Sequence, residues 1–245
     1  MRTQMRIFGL VLLSFSFLAN AQTNGTWTYD GSDYWTVPNR WSGGDIGSGV
    51  GATGNFATVN ITDHRNVTLT NQITIGHLLF ADVGGGGTHV WRLTNNIVDV
   101  GGGTYVTGSL LMAVSAGVPT IWVTNQTLHL GALLEGTQGF RKYGAGNLVM
   151  WNTNSTITGT VQIEGGLHQL LGEGAYGPTP GVLTPNAVVY SNLTVQNNDS
   201  YLVFSTNRGI TLLSGGAGVW FRVGWGKAQT NHSPITGSGR LGVTY

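Results

Sequence analysis

The chain contains no cysteine, so disulfide staples and thiolate chemistry, whether nucleophile or metal ligand, are closed to it. Charge is scarce as well. Lys, Arg, Asp and Glu together make up 9% of the residues, and the formal net charge is +1. Such a balance leaves no electrostatic footprint for nucleic acid or an anionic membrane surface. Sequence patterns for familiar catalysts are missing too: there is no H-E-x-x-H and no G-x-S-x-G, and Gly224-Trp225-Gly226-Lys227 runs into Ala228 where a phosphate-binding loop needs Ser or Thr.

What the chain has in excess is glycine, 40 of 245 residues, more than twice the usual share. That composition suits a fold with many tight corners. Mean hydropathy is +0.06, and polarity comes from Asn, Thr and Ser rather than from charge. Valine, isoleucine, leucine and aromatics recur throughout, which argues against disorder.

The N-terminus reads as a secretory leader. Arg2 and Arg6 flank an apolar run over 7–18, and Ala19-Asn20-Ala21 supplies a small-x-small cleavage site. The run is too short to span a bilayer. The expected mature chain starts at Gln22, is exported to the extracellular space or outer cell surface, and keeps no membrane span.

Residues 22–54 are rich in aromatics and turns, with Trp27, Tyr29, Tyr34, Trp35 and Trp41 among Gly, Ser, Asp and Asn. Two readings follow. Trp27, Trp35 and Trp41 are candidate glycan-stacking residues; the favoured reading is that they plug the open end of a stacked fold, which would otherwise expose its core and strand edges. From residue 55 onward short alternating runs take over: 56–61, 66–69, 72–80, 89–93, 97–100, 109–113, 120–123 and 127–130. The interval of 24 residues between Ile97 and Ile121 suggests one coil. Residues 172–185 hold Pro178, Pro180 and Pro185 and read as a loop protruding from the stack. Further strands are expected at 187–190, 193–196, 201–204 and 210–213.

Residues 139–170 show the rhythm most clearly. Runs at 148–151, 160–163 and 167–170 are separated by Gly, Asn, Ser and Thr, too closely for helix. Only three or four residues are available per strand, with a corner after each. That favours a coil winding upward over long hairpins. The expected fold is all-β, a right-handed parallel β-helix forming a single elongated domain over 55–245, with 22–54 as its cap.

The same stretch resembles the autotransporter-associated β-strand repeat, roughly G-L-x-K-x-G-x-G-x-L-x-L-x-x-x-N-x-Y-x-G-x-T-x-V-x-x-G-x-L. Lys142, Gly144, Gly146, Leu148, Asn154, Gly159, Val161, Gly166 and Leu167 match. Phe140 replaces the usual Leu, Ile157 stands where Tyr is common, and Thr160 follows Gly159 directly. The resemblance covers about thirty residues. It implies an exported bacterial surface or passenger-type protein, with residues 235–241 starting a further repeat of a longer array, so the chain reads as truncated at its C-terminus.

Acidic residues decide between scaffold and enzyme. Asp30, Asp33, Asp45, Asp63, Asp82, Asp99, Glu135, Glu164, Glu173 and Asp199 are scattered, and only Asp30 and Asp33 stand close together. Glycoside hydrolysis needs two carboxyls about 5 Å or more apart across the scissile bond, which neighbouring turns could still supply. Asp63-His64-Arg65 is the densest polar cluster, but adjacent strand residues point apart. The remaining histidines, His77, His89, His129, His168 and His232, lack metal-ligand spacing. The expectation is therefore a non-enzymatic stalk or adhesin-like passenger without catalytic, metal or cofactor residues. Its expected partners are surface glycans or other cell-envelope components. A polysaccharide-active enzyme or a carbohydrate-binding module is the alternative.

Overall fold

The structure, a computed structural model, describes residues 22–85, 88–101, 104–198 and 201–244. The expected leader at 1–21 lies outside the described residues.

The chain is a parallel β-helix. Two sheets of nine strands each run its length, and every neighbouring pair within them is parallel. The first sheet runs from Gly25–Thr26 through Thr53–Phe56, His77–Phe80, Thr120–Val123, Phe140–Tyr143, Val161–Glu164, Thr184–Ser191 and Arg208–Leu212 to Ile235–Gly237. The second runs from Asp33–Tyr34 through Arg65–Leu69, Val90–Asn95, Thr127–Leu130, Asn147–Met150, Leu167–Leu170, Leu193–Asn197 and Val219–Arg222 to Leu241–Thr244. Each rung contributes one strand to each sheet. Nine strands at about 4.8 Å spacing make a stack about 38 Å long.

A third face closes each rung less regularly. Gln72–Ile75, Ser109–Met112 and Leu133–Glu135 form a parallel sheet there. In the next rung Thr156 and Thr158 donate their N–H groups to Leu134 and Gly136 carbonyls, both at 2.8 Å, without forming a strand. The following rung uses the 3-10 turn Glu173–Tyr176 instead, and Tyr201–Phe204 then pairs with Ala228–Asn231.

Alternation explains the core. In the first sheet Leu78, Ile121, Lys142, Ile163, Tyr190 and Leu212 stand in one column by register. In the second, Trp91, Leu128, Leu148, His168, Val195 and Phe221 do the same. All of these are buried. Residues between them in sequence face outward, as the two-residue period of a strand requires.

Two expectations need correction. Ile97 does not begin a rung that ends at Ile121: Ile97–Gly101 and Thr104–Thr107 form an antiparallel hairpin inserted between the second and third faces, while Ile121 pairs with Leu78 and Lys142. The proline-bearing segment does not simply protrude. Ala175 and Tyr176 are buried, while Pro178, Thr179 and residues 181–186 stand in solvent.

The reason is a buried arginine. Arg208, 3% exposed, donates to the carbonyls of Tyr176 (3.2 Å), Gly177 (2.8 Å) and Pro178 (2.9 Å). Glu173 lies 3.4 Å from its Nε and accepts the Ser205 N–H at 2.9 Å. The segment is thereby tied into the rung above it.

Candidate functional site

The tryptophans of the N-terminal segment are core residues. Trp27 and Trp35 are fully buried and Trp41 is 2% exposed, so none presents a ring face to a sugar. Their rings pack within 5.0–5.6 Å of one another and of Phe56. Each indole N–H is satisfied internally, by the Tyr29, Gly47 and Trp35 carbonyls respectively, as buried tryptophans require. Glycan stacking on these three residues is therefore ruled out by burial. They lie beside the terminal strand of each sheet, where they fill the end of the apolar column.

Five of the described carboxylates are dispersed and engaged. Asp30 binds Arg65 at 2.6 Å and Asp33 binds Arg40 at 2.6 Å; the Arg65 bond holds the Asp30 carboxyl down at about 2. Glu164 takes Arg141 at 2.8 Å, and Glu135 takes the Gln72 amide at 2.9 Å. Asp82 is buried at a corner, where it accepts from Ile61 N–H (3.2 Å), Gly84 N–H (3.0 Å) and the Gln126 amide (2.8 Å), joining three rungs. The arginine bonds of Asp30 and Asp33 lower both carboxyls.

The histidines divide by environment. His64 is not oriented by Asp63: its Nδ1 accepts the Val90 N–H at 3.2 Å, and Asp63 instead accepts the His64 backbone N–H. His168 is fully buried. Its Nδ1–H donates to the Leu148 carbonyl at 3.1 Å, its Nε2 accepts from the Tyr176 hydroxyl at 2.6 Å, and that oxygen accepts in turn from Tyr190 at 2.7 Å. Burial pushes His168 down to about 3 and raises both tyrosines. The chain of three is a neutral core network. Among the described residues no group of three or more His, Cys, Asp or Glu is placed to hold a metal.

Lys142 is the second buried cation and sits in the inward column itself, fully enclosed. Its ammonium donates to the carbonyls of Gly144 (2.8 Å), Gly146 (2.6 Å) and Gly165 (2.7 Å). Burial pushes its pKa down to about 8, so it remains an ammonium at neutral pH. The K-x-G-x-G spacing thus has a structural reason: the lysine bends into its own corner and collects the carbonyls there.

One surface feature combines aromatic rings with polar groups. On the outer side of the second sheet, Tyr34, Thr68 and Thr94 stand in one column by register. The column continues one position past the paired Leu93, Leu130 and Met150 to Gly131 and Trp151, whose N–H groups keep the ladder going to Leu93 and Leu130. Two adjoining depressions of about 470 and 460 Å³ lie along it and share Thr94 and Asn95. Ser32, Asn66 and Asn96 line one; Asn152, Thr153 and Asn154 line the other.

The floor is low between its two rings. A Cβ on Gly131 would make ordinary contact with Thr94 at 3.7 Å and Trp151 at 3.9 Å, so the missing side chain leaves room for about one methyl beside Trp151. Trp151 itself is braced by the His129 ring at 4.3 Å. Asn152 is locked, its amide donating to the Gly131 carbonyl at 3.2 Å while its oxygen accepts the Asn154 N–H at 2.9 Å. Asn66 Oδ1 is enclosed in the floor without a partner.

Compared with known proteins, the chain matches no family model, no curated protein and no solved structure. Among the described residues no helix is long and apolar enough to cross a membrane.

Proposed function

We propose that the chain is a non-enzymatic, exported β-solenoid protein, secreted or held at the cell surface, working as a stalk or adhesin-like passenger. The observation that carries this reading is the engagement of the carboxylates. Asp30, Asp33, Asp82, Glu135, Glu164 and Glu173 each hold an arginine, an amide or backbone N–H groups, an arrangement that commits these side chains to structural bonds. The leader pattern at 1–21 and the resemblance of 139–170 to the autotransporter-associated repeat support export from a bacterial cell.

Stiffness is the property this architecture offers a stalk. Every rung shares its backbone hydrogen bonds with the next, and one largely apolar core runs up the stack from Trp27 to Phe221. Expression of the full chain in a bacterial host, fractionation, and N-terminal sequencing of the exported material test the proposal. The expected product begins at Gln22 and lies outside the cytoplasm. A chain that retained Met1 and stayed cytoplasmic would contradict it.

A further inference from the structure

We infer that the groove from Tyr34 to Trp151 binds a linear, uncharged oligosaccharide. The column of Tyr34, Thr68, Thr94, Gly131 and Trp151 spans four inter-strand steps, about 19 Å at the usual spacing, enough for a short oligosaccharide segment rather than a single ring. An aromatic side chain stands at each end, where the C–H face of a pyranose can pack on it. Between them the walls are hydroxyls and amides, groups that both donate and accept and so match sugar hydroxyls in either sense.

Charge narrows the ligand class. Asp33 is the one ionic side chain among the residues lining the two depressions, and Arg40 neutralises it at 2.6 Å. Neither a cationic nor an acidic ligand finds a counter-charge in that lining. Gly131 leaves the floor of the second depression low beside Trp151. The site is distinct from the buried Trp27, Trp35 and Trp41 cluster.

The test uses the full chain on an array of tetrasaccharides of β-linked glucose, N-acetylglucosamine, xylose and mannose, alongside uronic and sulfated oligosaccharides, followed by calorimetric titration of the best binder. Binding of a neutral oligosaccharide is expected, weakened at least tenfold by Trp151→Ala and by Gly131→Val, and unchanged by Trp225→Ala at a fully exposed position. Gly131→Val fills the groove without removing a packed ring, so it decides the matter if Trp151→Ala fails to fold by circular dichroism. Absence of binding to every neutral probe, binding confined to acidic probes, or full binding by a folded Gly131→Val variant would overturn the inference. Release of cleaved sugar would count against the non-enzymatic reading alone and leave this one standing.

Discussion

Lys142 Nζ lies 2.7 Å from the carbonyl oxygen of Gly165, which belongs to the next rung of the stack. The same ammonium holds Gly144 and Gly146 of its own corner, so one side chain fastens two successive coils. Arg208 performs the equivalent task for the corner at Tyr176, Gly177 and Pro178. In a fold made of corners, carbonyls that no N–H reaches must find donors or remain unsatisfied. A long cationic side chain rooted in the core can supply several at once.

Lys142→Met keeps the length and apolar stem but withdraws the donor from three carbonyls. At about 1–3 kcal/mol for each buried group left unpaired, a loss of about 3 kcal/mol or more is expected. Urea unfolding followed by far-UV circular dichroism measures it, and an unchanged midpoint would mean that the corner carbonyls find water instead.

Trp35→Ala should act as a core truncation. The ring is fully buried and contacts Trp41 and Phe56 at 5.0 and 5.4 Å, so about 3–5 kcal/mol of stability should go with it. Trp225→Ala, at an exposed position, should stay within about 0.5 kcal/mol of the parent. Chemical unfolding of the two variants side by side gives the comparison.

Acid should weaken the protein through its buried imidazole. His168 is held neutral, with its folded pKa pushed to about 3 against an ordinary 6.5, so the unfolded chain takes up the proton first. Stability is then full above about pH 6.5, falls as pH drops toward 3, and levels off below. His129, pushed down to about 4 by burial and by Arg92, adds to the slope in the same direction. Asp30 acts lower, its contribution being lost as pH falls from 3.8 toward 2. Urea midpoints between pH 7 and pH 4 should decline, and His168→Leu should flatten the decline while lowering the plateau, because the Tyr176 hydroxyl loses its acceptor.

Glycine corners differ in how much they tolerate. Gly139 has φ +68° and a Cβ there would stand 1.9 Å from the Thr160 carbonyl oxygen, whereas Gly117, at φ +82°, faces open space. Gly117→Ala should therefore carry only the left-handed backbone cost of about 1–2 kcal/mol. Gly139→Ala adds a clash with the backbone of the next rung, and its melting temperature should fall well below that of the Gly117 variant.

Much of the stack was legible because alternation is a local signal. Leu167–Leu170, Leu193–Asn197 and Tyr201–Phe204 are strands within a residue of where apolar residues and turns place them. Leu133–Glu135 and Ala228–Asn231 escaped notice, since their conformation is imposed by neighbouring rungs rather than by their own composition. The interval from Ile97 to Ile121 misled because an inserted hairpin happened to resemble a coil in length. Aromatic residues posed a different problem: nothing local distinguishes Trp35, which lies across the column, from Tyr34, its exposed neighbour in sequence.

The groove was beyond sequence reading for a related reason. Tyr34, Thr68, Thr94, Gly131 and Trp151 come from five rungs spaced 34, 26, 37 and 20 residues apart, the longest interval holding that hairpin, so no periodic search aligns them. Likewise His168 looks isolated in sequence. Its partners Tyr176 and Tyr190 arrive from the other two faces of the coil.

A stack proposed to be unreactive makes one demand of experiment above the rest. Full-length protein incubated with plant, microbial and host polysaccharides should generate no reducing ends and no unsaturated uronic products beyond a heat-denatured control, at any pH from 4 to 9. Product release that disappears in Glu164→Gln or Glu135→Gln, with the fold intact, would contradict the scaffold reading and place catalysis on the outer face of the helix.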